Sequence, residues 1–199
     1  MDPWPPDFTA HGAHVSLVPL THDHAADLAD AIADGGLHRL WYTAVPAPDE
    51  VPAEIDRRLS LRAAGSMQPF AVLLPETGKA VGMTTYMNID AQNRRVEIGS
   101  TWYRRSVQRT PLNTECKLIL LRHAFEDLDC IAVEFRTHFM NSQSRRAIER
   151  LGAKLDGILR AHSIMKDGTV RDTAAYSITA PEWPSVKSNL TWQLERPRG

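Results

Sequence analysis

The residues best suited to chemistry in this chain lie in one polar loop, read as SVQRTPLNT, which joins a predicted strand to a predicted helix. Arg104, Arg105 and Arg109 make the loop basic. Thr110 is the predicted N-cap, and Pro111 suits the first helical position, where its missing N–H costs nothing. The unpaired N–H groups and the positive end of the helix dipole would then point into the loop. This arrangement predicts a binding site for an anion such as a phosphate group.

Histidines are the next residues that could do chemistry, and four of them cluster near the N-terminus: His11, His14, His22 and His24. No cysteine or suitably spaced carboxylate completes a four-ligand set, so no metal site is predicted. The sequence also lacks a G-x-S-x-G elbow and a G-x-x-x-x-G-K-[ST] loop. Neither a serine hydrolase of that type nor a P-loop enzyme is therefore indicated.

Cysteine usage and hydropathy bear on the compartment. Cys116 and Cys130 lie in apolar surroundings and form no C-x-x-C pair, which predicts buried free thiols in a reducing compartment. No apolar run reaches the roughly 20 residues that a membrane helix needs. The N-terminus lacks the charged-then-apolar pattern of a signal peptide. We therefore expect a cytoplasmic protein with no membrane partner.

Length and charge limit the class of ligand. The 199 residues are enough for one domain with a substantial core. The net charge of −1 leaves no basic surplus for displacing the counterions of a nucleic acid, so no nucleic-acid partner is expected. A second basic cluster consists of Arg145, Arg146 and Arg150. Local clusters in a neutral protein favour a small anionic ligand, although solvated surface arginines would look the same.

The elements that must position these residues follow from periodicity and turn signals. Strands are predicted over residues 14–20, 68–74, 80–88, 95–103, 130–138, 154–165 and 170–178. Helices are predicted after Thr21 up to Gly35-Gly36, from Pro52, over 111–128, after Asn141 and in the tail from 182. Residues 1–12 contain three prolines and are not expected to be regular; Trp4 and Phe8 there belong to a flexible arm or pack onto a neighbour. The strand at 14–20 is expected at an edge because of Pro19.

This order of elements predicts a mixed α/β sheet that is mostly antiparallel. The helix over 111–128 is a crossover, so the strands 95–103 and 130–138 are expected to be parallel neighbours. If the C-terminal ends of these two strands splay apart, they open a cleft. Ligands of α/β sheets bind beyond such strand ends.

Four strings carry a family resemblance: VEIGSTWY, PLNTECKLILLRHAFEDL, MNSQSRRAIERLGAKLDGILR and DGTVRDTAAYSI. Together they resemble the GNAT superfamily of acyl-CoA-dependent N-acetyltransferases, in the branch typified by ribosomal-protein N-terminal acetyltransferases. The resemblance implies a single GNAT-like α/β (α+β) domain over residues 14–184. An irregular arm, 1–13, would precede it, and a partly helical tail, 185–199, would follow. The splayed parallel strand pair would form the acyl-CoA cleft.

The resemblance further implies that acetyl-CoA is the cosubstrate and that its pyrophosphate lies on residues 108–113. The family usually has a Q/R-x-x-G-x-G/A signature there, whereas Arg109 and Pro111 stand where glycines are common. A proline supplies no N–H to a phosphate, but the charged side chain of Arg109 could compensate. Asn141 would contact the CoA arm near its thiol, and it is also a predicted N-cap. The full set of residues expected to bind CoA is Trp102, Tyr103, Arg104, Gln108, Arg109, Thr110, Leu112, Asn113, Thr114, Asn141 and Ser144.

Transfer of an acyl group from a thioester to an amine needs a base, donors for the oxyanion and a proton for the leaving thiolate. Glu97 is the candidate base, because it lies on the strand that leads into the site. The N–H groups of residues 101–103 are the oxyanion donors that the resemblance implies. Many family members carry a tyrosine acid where this chain has Ile148. Ser144 is the predicted acid instead, and Tyr176 or His162 could also serve.

The acceptor is expected to be a primary amine on a protein N-terminus or on a small molecule. The residues predicted to bind it are Trp41, Tyr42, His162 and Tyr176. We expect direct attack of the amine on acetyl-CoA in a ternary complex, without a metal. A homodimer is common in the family, and the last hairpin or the C-terminal tail could supply its contact. The alternative is a non-catalytic acyl-CoA-binding or protein-interaction module on the same fold.

Overall fold

The structure is a computed structural model that describes residues 4–165 and 167–196. Its strands are β1 (Ala10–His11), β2 (Ser16–Pro19), β3 (Met67–Leu73), β4 (Ala80–Asp90), β5 (Arg95–Tyr103), β6 (Ala132–His138), β7 (Lys154–Ile164) and β8 (Val170–Thr179). Its α-helices are α1 (Ala25–Ala33), α2 (Val51–Ala63), α3 (Leu112–Arg122), α4 (Ser142–Arg150) and α5 (Trp183–Glu195). The predicted turn at Lys166, the first three residues of the predicted arm and the last three of the predicted tail lie outside the described residues.

The described strands form one sheet in the order β1-β2-β3-β4-β5-β6-β8-β7. Each pair of neighbours is antiparallel except β5 and β6, which are parallel. The predictions of a mixed, mostly antiparallel sheet and of one parallel pair joined by a crossover helix are therefore confirmed. The sequence did not predict that β8 would lie between β6 and β7.

The parallel pair separates after three positions. Residues 95–97 of β5 pair with residues 132–134 of β6, and no later position in the two strands is paired. Ser100 has a φ of 47°, and the register between β4 and β5 shifts between Met83 and Thr85, opposite this residue. An extra residue in one strand bends it. The bend in β5 accompanies the separation of the two C-terminal ends, which forms the predicted cleft.

Helices cover both faces of the sheet and make two cores. One core packs α1 and α2 against the sheet, with Leu28, Ile32 and Ile55 fully buried. The other packs α3, α4 and α5 on the opposite face, with Leu120, Ile148 and Leu190 among its buried side chains. The alternation along β3 serves both cores, since Phe70 and Val72 belong to one cluster and Ala71 to the other. Both faces of the sheet that carries the cleft are thus covered by packed helices.

The predicted irregularity of residues 1–12 is wrong at Ala10 and His11, which pair with Leu17 and Ser16. Backbone N–H groups of Ala13 and His14 donate to the carboxylate of Glu115 on α3, and this fastens the segment to the domain. Phe8 packs its ring on His123 and Phe70 of the same chain. The prolines predict irregular backbone only at the start of this segment. The rest is ordered by long-range contacts, which the local sequence does not indicate.

Two details of β2 and α3 also differ from prediction. The strand β2 lies one position in from the edge of the sheet. Its pairing with β1 covers only Ser16 and Leu17, so Pro19 pairs with β3 alone. Pro111, rather than Thr110, is the N-cap of α3. Beyond Arg122 the helix continues as a π-helical turn, His123–Asp127, which reaches close to the predicted end at residue 128.

Candidate functional site

The loop that joins β5 to α3 has the backbone shape of an anion-binding turn. Arg109 has a φ of 63°, the left-handed conformation that glycine adopts most easily. The Thr110 hydroxyl accepts from the Leu112 N–H at 3.3 Å and donates to the Val107 carbonyl at 2.7 Å. Within the described part of the chain, the N–H groups of Asn113 and Thr114 have no intramolecular acceptor. The helix therefore offers two N–H donors at its N-terminus.

Two side chains of the loop form hydrogen bonds within the domain. The amide of Gln108 donates to the carbonyl of Tyr103 at 2.9 Å. Arg104 Nε donates to the carboxylate of Asp34 at 3.0 Å, and the N–H of Ser106 donates to the same oxygen. Hydrogen bonds from Ser106 and then from Arg104 lower the pKa of Asp34 to about 2. Sequence analysis missed Asp34, because no local pattern connects the end of α1 with this loop.

The second basic cluster does not form one anion-binding surface. Arg145 Nε donates to the hydroxyl of Tyr176 at 2.9 Å, and its guanidinium lies over the ring of Phe139. Arg150 donates to Thr114 and Gln193, and so ties α4 to α3 and α5. Arg146 is exposed. Two of the three side chains are therefore structural contacts.

Glu97 lies at the root of the cleft, at the last position where β5 pairs with β6. Only 4% of its surface is exposed. Its Oε2 atom accepts from Asn88 Nδ2 at 2.6 Å and lies 3.5 Å from Arg136 Nε. The arginine contact is long, so it does not cancel the cost of burial. Burial raises the pKa of the Glu97 carboxyl, while the Asn88 hydrogen bond and the Arg136 charge oppose the rise.

Sequence analysis did not identify the partners of Glu97. Arg136 also pairs with Glu134, and the charge of Arg171 on β8 acts on Glu97 as well. Strand alternation places Glu134 and Arg136 on one face of β6. The β8–β6 order that adds Arg171 to this group has no signal in the sequence.

Asn141 and Ser144 come just after the end of β6, at the start of α4. The side chain of Asn141 accepts from the N–H of Ser144 at 3.0 Å, which confirms the predicted N-cap of α4. Ser144 is partly exposed. The structure therefore places both residues just beyond the C-terminal end of β6. Their contacts with CoA and the acid role of Ser144 stay predictions.

The residues predicted to bind the acceptor divide into two groups. Trp41 is 56% exposed, and its ring lies edge-on to Tyr42 and to His138 at the end of β6. His162 Nδ1 lies 3.1 Å from the hydroxyl of Thr173, the residue that pairs with His138. Trp41, Tyr42 and His162 thus gather near the end of β6.

Tyr176 is separate from that group. It is fully buried, and its hydroxyl donates to Glu149 and accepts from Arg145, both on α4. It pairs with Phe135, so it faces the opposite side of the sheet from Glu134. Burial raises the pKa of its hydroxyl. A fully engaged hydroxyl on that face leaves Tyr176 out of the site proposed below.

Comparisons with known proteins agree with this geometry. A family model described as the acetyltransferase (GNAT) domain matches residues 14–154. The chain belongs to the GNAT family. A GCN5-related N-acetyltransferase from Brucella melitensis has 31% identity and a TM-score of 0.85, with 96% of this chain and 87% of that chain covered. The predicted resemblance and the GNAT fold are confirmed.

Two further proteins are similar to this chain. A Bacillus subtilis protein named "Putative ribosomal N-acetyltransferase YdaF" is 30% identical over 110 residues, which are 55% of this chain and 59% of the relative. The match thus spans less than two thirds of that protein. RimJ of Mycobacterium smegmatis, solved in complex with CoA-disulfide, has 24% identity and a TM-score of 0.80, with 97% of each chain covered. The second likeness shows the fold.

The described residues contain neither a metal-binding cluster nor a membrane-spanning helix. Among residues 4–165 and 167–196, no three His, Cys, Asp or Glu side chains are grouped so that they could hold a metal ion. None of the helices described is both long and apolar enough to cross a bilayer.

Proposed function

We propose that this GNAT chain transfers the acetyl group of acetyl-CoA to a primary amine in a ternary complex. The observation that carries the proposal is the position of Glu97, a buried carboxylate at the point where β5 and β6 separate. A base with a raised pKa at the root of a cleft is suited to accept a proton from an attacking ammonium or amine.

The residues present fit acetyl-CoA as cosubstrate. Beyond Glu97, β6 no longer pairs with the edge of β5, so strand N–H and C=O groups there can bond the amides of a pantetheine arm. The N–H groups of Asn113 and Thr114 and the left-handed turn at Arg109 suit the pyrophosphate. Pro111 contributes no donor, so the side chain of Arg109 supplies charge in place of backbone N–H groups.

Bound acetyl-CoA would supply the thioester carbonyl to which the amine adds and the thiolate that then leaves. Glu97 Oε1 takes the amine proton through one water, because Oε2 is already engaged by Asn88. The N–H groups of residues 101–103 are the proposed donors to the oxyanion. Ser144, near the end of β6, is the proposed source of the proton that the leaving thiolate receives.

The acceptor lies near Trp41 and His162, on the side of the cleft beyond β6. The exposed Trp41 ring and its contact with His138 offer an apolar wall beside that opening. By analogy with the relative whose name includes a ribosomal N-acetyltransferase, a protein N-terminus is the first acceptor class to test. A small-molecule amine is the second.

The test measures release of the CoA thiol from acetyl-CoA across a panel of peptide N-termini, polyamines and amino sugars, with calorimetry of CoA binding in parallel. Turnover with at least one amine is expected. Binding without turnover on every amine would support the alternative, a non-catalytic acyl-CoA-binding module on the GNAT fold. No binding at millimolar CoA would refute both the acetyltransferase and the acyl-CoA-binding module.

A further inference from the structure

Lys117 on α3 is a buried lysine without a counter-charge. Its exposed surface is 5%, and its Nζ donates to Thr101 Oγ1 on β5 at 2.8 Å and to Thr84 Oγ1 on β4 at 3.2 Å. The two threonine hydroxyls are themselves 2.8 Å apart. Among the described residues, burial and the neighbouring Cys116 are what shift the pKa of Lys117, and no carboxylate contributes to the shift. The ammonium is held by neutral hydroxyls alone.

Such a group is costly to bury, and packing does not require it. An ammonium loses hydration inside a protein, and two hydroxyl acceptors return only part of that energy. Burial lowers the pKa of Lys117 to about 8. A methionine would fill similar space between α3 and the sheet at no such cost. Buried polar groups that work against stability are concentrated where function needs them.

The position of Lys117 relative to the cleft indicates what it does. Thr101 follows Ser100, whose φ of 47° marks the bend in β5. This bend lies beyond Glu97, where β5 has already lost its pairing with β6. Lys117 therefore contacts the bent segment from behind, on the face of the sheet that α3 covers.

We propose that Lys117 is a positioning residue that fixes the bend of β5 through Thr101 and polarises the N–H groups of residues 101–103 toward the thioester oxygen. The inference rests on the proposed binding of acetyl-CoA in the cleft. A positive charge in a dry interior acts more strongly than it would in water, so donors in front of it bond a developing oxyanion better.

The titratable neighbours of Lys117 allow a pH test. On α3 itself, Cys116 is adjacent, and burial raises the pKa of its thiol. From β4 and β5 the facing polar groups are the hydroxyls of Thr84 and Thr101, which do not titrate in the usable range. The hydroxyl of Tyr103 on β5 contacts Cys116, and burial raises the pKa of Tyr103 well above its usual value. Because the pKa of Lys117 is about 8, its positive charge should be present at pH 7 and largely lost by pH 9 to 10.

The experiment is infrared spectroscopy of acetyl-CoA labelled with ¹³C at the carbonyl, bound to the whole protein. In the wild type the carbonyl stretch is expected at lower frequency than in solution, and it should move back toward the solution value as pH rises from 7 to 9. In Lys117→Met the stretch is expected near the solution value at every pH. For an amine that the wild type acetylates, kcat should fall about ten- to a hundredfold.

Lys187→Met is the matched control, because Lys187 on α5 pairs with Glu126 away from the cleft; it should keep the wild-type spectrum. Thr101→Val is the second variant: it keeps Lys117 but breaks the contact with β5, and it should shift the stretch upward as well. An unchanged stretch in both Lys117→Met and Thr101→Val overturns the inference. So does an equal shift in Lys187→Met.

Failure of the proposed function gives a different result. If acetyl-CoA binds but no amine is acetylated, transfer is refuted while the spectra still decide the role of Lys117. If the wild type does not bind acetyl-CoA at millimolar concentration, both proposals are overturned together.

Discussion

Glu97→Gln is the sharpest test of the proposed mechanism, because Gln keeps the shape of the side chain and removes only its basicity. Asn88 Nδ2 donates to Glu97 Oε2 at 2.6 Å and can donate in the same way to the carbonyl oxygen of the glutamine. The side chain is 4% exposed, so the substitution removes a buried charge and should not lower stability. Loss of activity could then be assigned to chemistry.

The expected size of the effect follows from the surroundings of the carboxylate. General bases contribute about 10²- to 10⁴-fold. Asn88 already engages Oε2, so only Oε1 can accept the proton, and it does so through a water. We therefore expect kcat to fall about 100-fold, at the low end of that range. Because burial raises the pKa of Glu97, wild-type kcat/KM should fall on the acid side at a pH above the ordinary carboxyl value of 4.5. The Gln variant should lack that acid limb.

The assay is thiol release at saturating acetyl-CoA between pH 5 and 9, with Glu76→Gln, in an exposed turn, as the control. Gly99→Ala gives an independent perturbation, because a Cβ there would meet Glu97 Oε1 at 2.9 Å and Met87 Sδ at 2.6 Å. It should lower kcat about tenfold by displacing the carboxylate. Gly157→Ala, whose Cβ would meet nothing within 4 Å, should be neutral. An acid limb that persists in Glu97→Gln would refute the assignment of the base.

Three further predictions concern the loop and the sheet. Arg109→Gly and Arg109→Ala should each weaken acetyl-CoA binding about tenfold, as measured by calorimetry. The Gly variant should melt at a higher temperature than the Ala variant, because the φ of residue 109 is 63° and glycine adopts that conformation more easily. Equal melting temperatures of the two variants would contradict this. The pKa of Asp34 is lowered from 3.8 to about 2, so its stabilising effect is present above pH 3.8 and is lost as pH falls through about 2. Asp34→Asn should therefore lower the free energy of unfolding by under about 1 kcal/mol at pH 7, as measured by denaturant titration, and the difference should vanish toward pH 2. Asp129→Asn, which removes one partner of an exposed ion pair, should lower it by less. Gly82→Ala should destabilise the fold by about 1–3 kcal/mol or more, because its Cβ would lie 2.2 Å from the Trp102 carbonyl oxygen. If Gly82→Ala is as stable as Gly157→Ala, this steric explanation is refuted.

Local patterns in the sequence determined the parts of this protein that depend on near neighbours. Alternation indicated β5, an apolar run and the turn after it indicated β3 and β4, and the crossover helix indicated that β5 and β6 are parallel. The Asn141 cap was also readable, since a cap needs only the N–H groups of the next turn. Glu97 was nominated as the base because its strand leads into the predicted loop, and that role stays a prediction.

Only the tertiary structure decided which distant groups meet. Asp34 reaches the loop at Arg104, Asn88 reaches Glu97, and the β8–β6 order brings Arg171 near the same carboxylate. The period of α3 does not reveal Lys117 as a buried cation, because a lysine on a helix is ordinarily solvated. Its role depends on two hydroxyls from two strands. Such contacts arise from chain crossings, for which a single sequence carries no local signal.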